Sequence, residues 1–186
     1  MNQNLRRMIR YALILTLIPL MTACGRTSAE TANADLYGPT IGGLADDEAF
    51  AIVEAGAKNP VLLASSQPFE GGQTAAFCDV YYAVNGEAKK IGTIDDPETT
   101  APLACDSSGI YAAGERQVLR YEISEEEGFL ELSEAVYIRY DENGQETFEK
   151  VAKGNTEQIS EEEFLSFSEK AQKADIVLFH YGASGS

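Results

Sequence analysis

An Asn-Gly dipeptide at 85–86, set between "CDVYYAV" and "EAKKIGTI", constrains this chain more than any other feature of its sequence. Both residues tolerate positive φ, as a two-residue hairpin turn requires. The flanking β-rich runs are therefore expected to fold back on each other as antiparallel strands at about 75–84 and 87–94. Similar punctuation recurs downstream. Runs at 101–105 and 109–113 straddle Asp106-Ser107-Ser108-Gly109, "QVLRYEIS" and "FLELSEAVYIRY" flank Glu125–Gly128, and Asp141-Glu142-Asn143-Gly144 precedes "QETFEKV". Between Phe129 and Tyr140, Leu130 and Leu132 alternate early and Val136 and Ile138 late, the pattern of a sheet with one face in water. Upstream, "AFAIVEAG" and "PVLLASS" read as buried strands, with a helix over 46–55 as the competing reading of the first.

One segment carries helix signals. In "QISEEEFLSFSEKAQKAD", Ser160 and Glu163 make a capping box and Ile159 and Phe164 occupy the staple positions. Acids fill the first turn and Lys170 and Lys173 the last, which suits the helix dipole. Phe164, Phe167 and Ala171 share a face that should cover part of a sheet. A last strand is expected at 175–181, "DIVLFHY", before a disordered tail at 182–186. The fold class that follows is α+β, mainly β: antiparallel meanders of about eight to ten short strands with one C-terminal helix, in a single domain over 44–181.

The N-terminal region has a different character. "MNQNLRRMIR" carries three arginines and no acid, and "YALILTLIPLM" is apolar but shorter than the roughly 17 to 25 residues that span a bilayer. Residues 1–23 thus read as a signal peptide. Met21-Thr22-Ala23-Cys24-Gly25 resembles the bacterial lipobox, with methionine in place of the more usual leucine. That resemblance implies cleavage before Cys24 and acylation of its thiol, which would hold the chain at the extracytoplasmic face of a cell membrane. An ordinary secretory signal beside a chance cysteine is the alternative. Residues 24–43, rich in Gly, Ser, Thr and Ala without periodic apolar positions, read as a flexible tether.

Charge narrows the partners. The whole chain has a formal net charge of −16, and without residues 1–23 it holds 11 basic against 30 acidic residues, or −19. Such a surface repels nucleic acid and anionic headgroups and favours cations or basic proteins, although solubility alone explains runs such as 125–127 and 161–163. With Cys24 assigned to lipid, Cys78 and Cys105 remain, either as a disulfide or as two buried thiols.

No catalytic residue, cofactor or metal site is nominated. The single histidine, His180, excludes a zinc centre built on several histidines and reads as structural in its strand. No Ser-x-x-Lys occurs, and Gly182–Gly185 is one residue short of a nucleophile elbow. "GTIDDPET", with Asp95 and Asp96, is the nearest approach to a calcium loop but lacks spaced ligands.

The order of lipobox, tether, "AFAIVEAGAKNPVLLASS", "CDVYYAVNGEAKKIGTI", "DSSGIYAAG" and the helix start at Ile159–Phe164 resembles small surface lipoproteins of Gram-positive, clostridia-like bacteria. Members often carry an FG-GAP-like calcium turn. Here its counterpart would be Glu54–Asn59, without the alternating aspartates. The resemblance implies an envelope location. The expected function is a non-catalytic module that binds an envelope protein or cell-wall ligand, with the outward members of Tyr81, Tyr82, Tyr111, Tyr121, Tyr137 and Tyr140 as contact surface. The alternatives are a carboxylate-based enzyme or accessory acting on wall glycans, and a passive subunit marked by an exposed apolar patch.

Overall fold

Strand-forming runs between tight turns assemble here into two antiparallel sheets whose inner faces share one core. The computed structural model describes residues 36–69 and 71–181. Its strands are β1 (Ala49–Val53), β2 (Val61–Ser65), β3 (Cys78–Val84), β4 (Glu87–Ile94), β5 (Ala104–Asp106), β6 (Gly109–Ala113), β7 (Gln117–Ser124), β8 (Phe129–Tyr140), β9 (Glu146–Ala152), β10 (Asn155–Ile159), β11 (Asp175–Ile176) and β12 (His180–Tyr181). A helical segment, α1, covers 36–41, and a second helix, α2, covers Glu161–Lys173. The smaller sheet has the order β12-β1-β2-β3-β4 and the larger β10-β9-β8-β7-β6-β5-β11. The α+β, mainly β reading is correct, and the region 46–55 contains β1 rather than a helix.

The central hairpin forms as its turn dictates. Asn85 and Gly86 both take positive φ, 54° and 81°, and Val84 pairs with Glu87. A second such turn was not expected: Lys153 (φ 50°) and Gly154 (φ 75°) join β9 to β10. Sequence pattern missed β10 because "NTEQI" has no apolar alternation and Lys is an unusual residue at positive φ.

Leu63, Val80 and Ile94 of the smaller sheet meet Ile110, Leu119 and Ala135 of the larger in the main core. Each outer face is also covered. On the larger sheet, Tyr111, Val118 and Val136 lie under Phe164, Phe167 and Ala171 of α2. On the smaller, Leu62 and Ala83 pack with Tyr37 of α1. The layers are therefore helix, sheet, sheet, helix, which explains why all five residues of β2 are buried.

Two expectations need correction. The tether was expected to run to residue 43, yet 36–41 is helical and Tyr37 is fully buried. Its hydroxyl donates to the Pro60 carbonyl at 2.5 Å and accepts from Ala83 N–H at 3.2 Å. Composition hid this anchor, because one aromatic in a Gly- and Thr-rich stretch has no periodicity to reveal it. The final strand, expected to be continuous over 175–181, is instead two short ones in different sheets. β11 pairs with β5 and β12 with β1. Between them Val177 N–H donates to Leu103 O at 2.9 Å and Phe179 N–H to Gln73 O at 2.8 Å, with both side chains buried. The alternating run crosses from one sheet to the other and closes one side of the sandwich.

The phase of β8 also departs from its simple reading. Arg120 pairs with Glu134 but Tyr121 with Leu132, so Ser133 is the extra residue of a β-bulge. Its hydroxyl donates to Arg120 O at 3.1 Å. The bulge inverts the alternation: Leu130 packs against the inter-sheet core, whereas Val136 and Ile138 pack under α2. Even spacing from Leu130 to Ile138 therefore does not mark one face. A matching bulge at Ile91 lets Gly92 approach the other sheet, where a Cβ would stand 2.7 Å from Leu130 Cβ.

The helix follows its signals. Glu163 N–H donates to Ser160 Oγ at 3.2 Å and Ser160 N–H to Glu163 Oε2 at 2.8 Å. Ile159 and Phe164 share the cluster beneath the helix, as a staple requires.

Candidate functional site

Where β2 ends and β3 begins, the smaller sheet forms a groove of about 350 Å³. Strand direction places its residues. β2 brings Ala64 and Ser65, the following turn brings Ser66 and Gln67, β3 begins with Cys78 and Asp79, and β4 ends with Thr93 just before Asp95 and Pro97. Glu48 closes one side as the chain turns into β1. Asp79 faces outward because it alternates with the core-facing Cys78 and Val80, and it pairs across the ladder with Ala64 and Thr93.

The polar groups are organised. Asp79 accepts a hydrogen bond from Thr93 Oγ1 at 2.9 Å and an ion pair from Lys90 Nζ at 2.7 Å. That bond to Asp79 raises the Lys90 pKa above its ordinary value. Burial, and next the Asp79 charge, raises that of nearby Tyr81. Ser65 is buried and its Oγ accepts from Gln67 N–H at 3.2 Å, which tightens the turn over the groove. Glu48 Oε2 accepts from Ala45 N–H at 2.7 Å. Lys90 thus offsets Asp79, while Glu48 and Asp95 leave the groove net negative, with Ala64, Phe77 and Pro97 as apolar wall. Such a surface accommodates a cationic group carried on an apolar stem.

The residues singled out in the sequence are distributed as follows. Cys24 lies outside the described residues. Cys78 and Cys105 are free and buried in the same core cluster, so the disulfide alternative is not realised. Burial pushes both thiols up, Cys105 to about 11 and Cys78 further, which leaves little thiolate at neutral pH. His180 is exposed on β12, paired with Phe50. Of the aspartates of "GTIDDPET", Asp95 borders the groove, whereas Asp96 accepts from Gln117 Nε2 at 2.6 Å and from Glu98 N–H at 2.9 Å. Adjacent in sequence, the two do not converge. Among the described residues no three His, Cys, Asp or Glu side chains are grouped to hold a metal ion. Glu54–Asn59 forms the β1–β2 connection, where Lys58 N–H donates to the Glu125 carboxylate at 2.5 Å and Asn59 N–H to Tyr82 Oη at 3.3 Å.

The tyrosine surface is corrected. Tyr82 and Tyr111 are buried, Tyr121 and Tyr137 pack on the main core, and Tyr81 packs with the α1 cluster; Tyr140 alone of the six is largely exposed. The groove-lining Glu48, Ser66 and Asp79 were not anticipated. A polar residue at the second position of an apolar strand signalled that Asp79 faces outward, but nothing in sequence joined it to Glu48. A second exposed feature is apolar: Ile176 and Leu178 project from the crossing between the sheets, 58% and 56% exposed. The chain matches no family model, no curated protein and no solved structure.

Proposed function

We propose that this chain is a membrane-anchored extracytoplasmic lipoprotein whose folded part is a non-catalytic binding module for an envelope protein or cell-wall ligand. The observation that carries the reading is Cys24 itself, a cysteine in Met21-Thr22-Ala23-Cys24-Gly25 directly after a basic and then apolar leader. Acylation there supplies about 0.8 kcal/mol per buried methylene, so two or more chains give stable attachment without a spanning helix. The fold supports the binding half of the proposal. A four-layer body carries a polar groove on one sheet, and the helix on the opposite outer face is held by its cap and apolar stripe.

The test is metabolic labelling of expressing cells with an alkynyl fatty acid, followed by membrane fractionation. The wild-type chain is expected to take up label and sediment with membranes, and Cys24→Ala to do neither. Equal membrane association of both without label would overturn the anchor.

A further inference from the structure

The groove and the point where the chain enters the fold lie at opposite ends of the smaller sheet. Tyr37 is tied to Pro60, just before β2, and to Ala83, near the end of β3. The groove takes Ser65 from the other end of β2, and Cys78 and Asp79 from the start of β3. Five residues of strand at about 3.3 Å each separate the two ends by roughly 17 Å. Resting on the proposed binding role of the folded part, the groove is therefore at the end of the smaller sheet opposite Tyr37.

Charge sets what the groove admits. Asp46, Asp47, Glu48, Asp95 and Glu98 all lie in the loops of that end. The nearby cations Lys90 and Arg116 are held by Asp79 at 2.7 Å and by Glu98 at 3.4 Å. A volume of about 350 Å³ is near the lower limit of small-ligand pockets, roughly 300 to 1,000 Å³, so it suits a side chain or short segment. Its walls match the two parts of a long basic side chain: Ala64, Phe77 and Pro97 for the methylene stem, Glu48 and Asp95 for the charge.

We propose that this groove is a docking site for a basic segment of a partner protein, with a lysine or arginine side chain seated between Glu48 and Asp95 at the end of the smaller sheet opposite Tyr37. The probe is blocked tetralysine, with tetraglutamate as control, titrated calorimetrically at physiological salt into the full chain purified in detergent.

One saturable site for tetralysine is expected. Glu48→Gln with Asp95→Asn should weaken it at least tenfold, and Ser66→Arg, which places a cation in the groove, should abolish it. Glu126→Gln with Glu127→Gln removes the same charge at the opposite end and should change affinity less than twofold, with thermal melts confirming that every variant folds. Equal weakening by the two double variants would reduce the effect to diffuse attraction and overturn the site, as would the absence of saturable binding. Cys24→Ser should bind tetralysine as the parent does, so absence of label on the wild-type chain refutes the anchor while absence of saturable tetralysine binding refutes the groove.

Discussion

At the scale of single residues, Tyr37 and Ser160 show how a hydroxyl can stand in for backbone. The β2–β3 ladder stops where Pro60 has no N–H to give, and the Tyr37 hydroxyl fills the gap by bridging Pro60 O and Ala83 N–H. Tyr37→Phe leaves both groups unpaired, and a loss of about 1–3 kcal/mol is expected from urea midpoints. Burial raises the Tyr37 pKa to about 12, as it does for Tyr121. A folded-state value above the unfolded one, near 10, favours the native state below pH 10, and that advantage is lost as pH rises towards 12. Wild type should therefore lose more stability than Tyr37→Phe between pH 10 and 12; parallel losses would contradict this. At the other end of the scale, hydrogen bonds from Ser160 hold the Glu163 carboxyl below its usual range. Its contribution is present above the ordinary carboxylate range and disappears as pH falls through the lowered value. Ser160→Ala should cost about 1 kcal/mol at pH 7, with a smaller difference from wild type at pH 2.5.

Elements were legible in proportion to how local their signals are. β4, β6, β7 and β8 fall where their turns and β-rich runs place them, and α2 where its cap and staple place it. The bulge at Ser133 was not legible, because nothing in "LELSEAVYI" distinguishes a phase change from continued alternation. It makes a sharp prediction. Deleting Ser133 removes only the unpaired residue and leaves Leu132 and Glu134 on their present faces, so the protein should fold with a modest loss of stability. Deleting Ala135, two residues on, drives a neighbouring polar residue towards the core and should cost several times more by chemical denaturation. Comparable costs would mean that the bulge does not set the register. The crossing at 175–181 escaped sequence for a related reason: alternation reports which side chains face inward, not which sheet the backbone joins.

At the scale of the described fold as a whole, its two helices and two sheets matter because they give it a direction. Tyr37 fixes the start of the described fold at one end of the smaller sheet, and the groove opens at the other. Little of that site was readable beforehand, because Glu48, Ser66, Asp79 and Asp95 are spread over about fifty positions and converge only through strand pairing. What the sequence carries alone is the basic and then apolar run before Cys24, and the proposed function depends on reading it as a cleaved leader. The direct measurement is the intact mass of the chain extracted from membranes of expressing cells. Loss of residues 1–23 with diacylglyceryl and acyl groups on Cys24 is the predicted result. A chain that retains its leader, or one cleaved with an unmodified Cys24, would contradict the account.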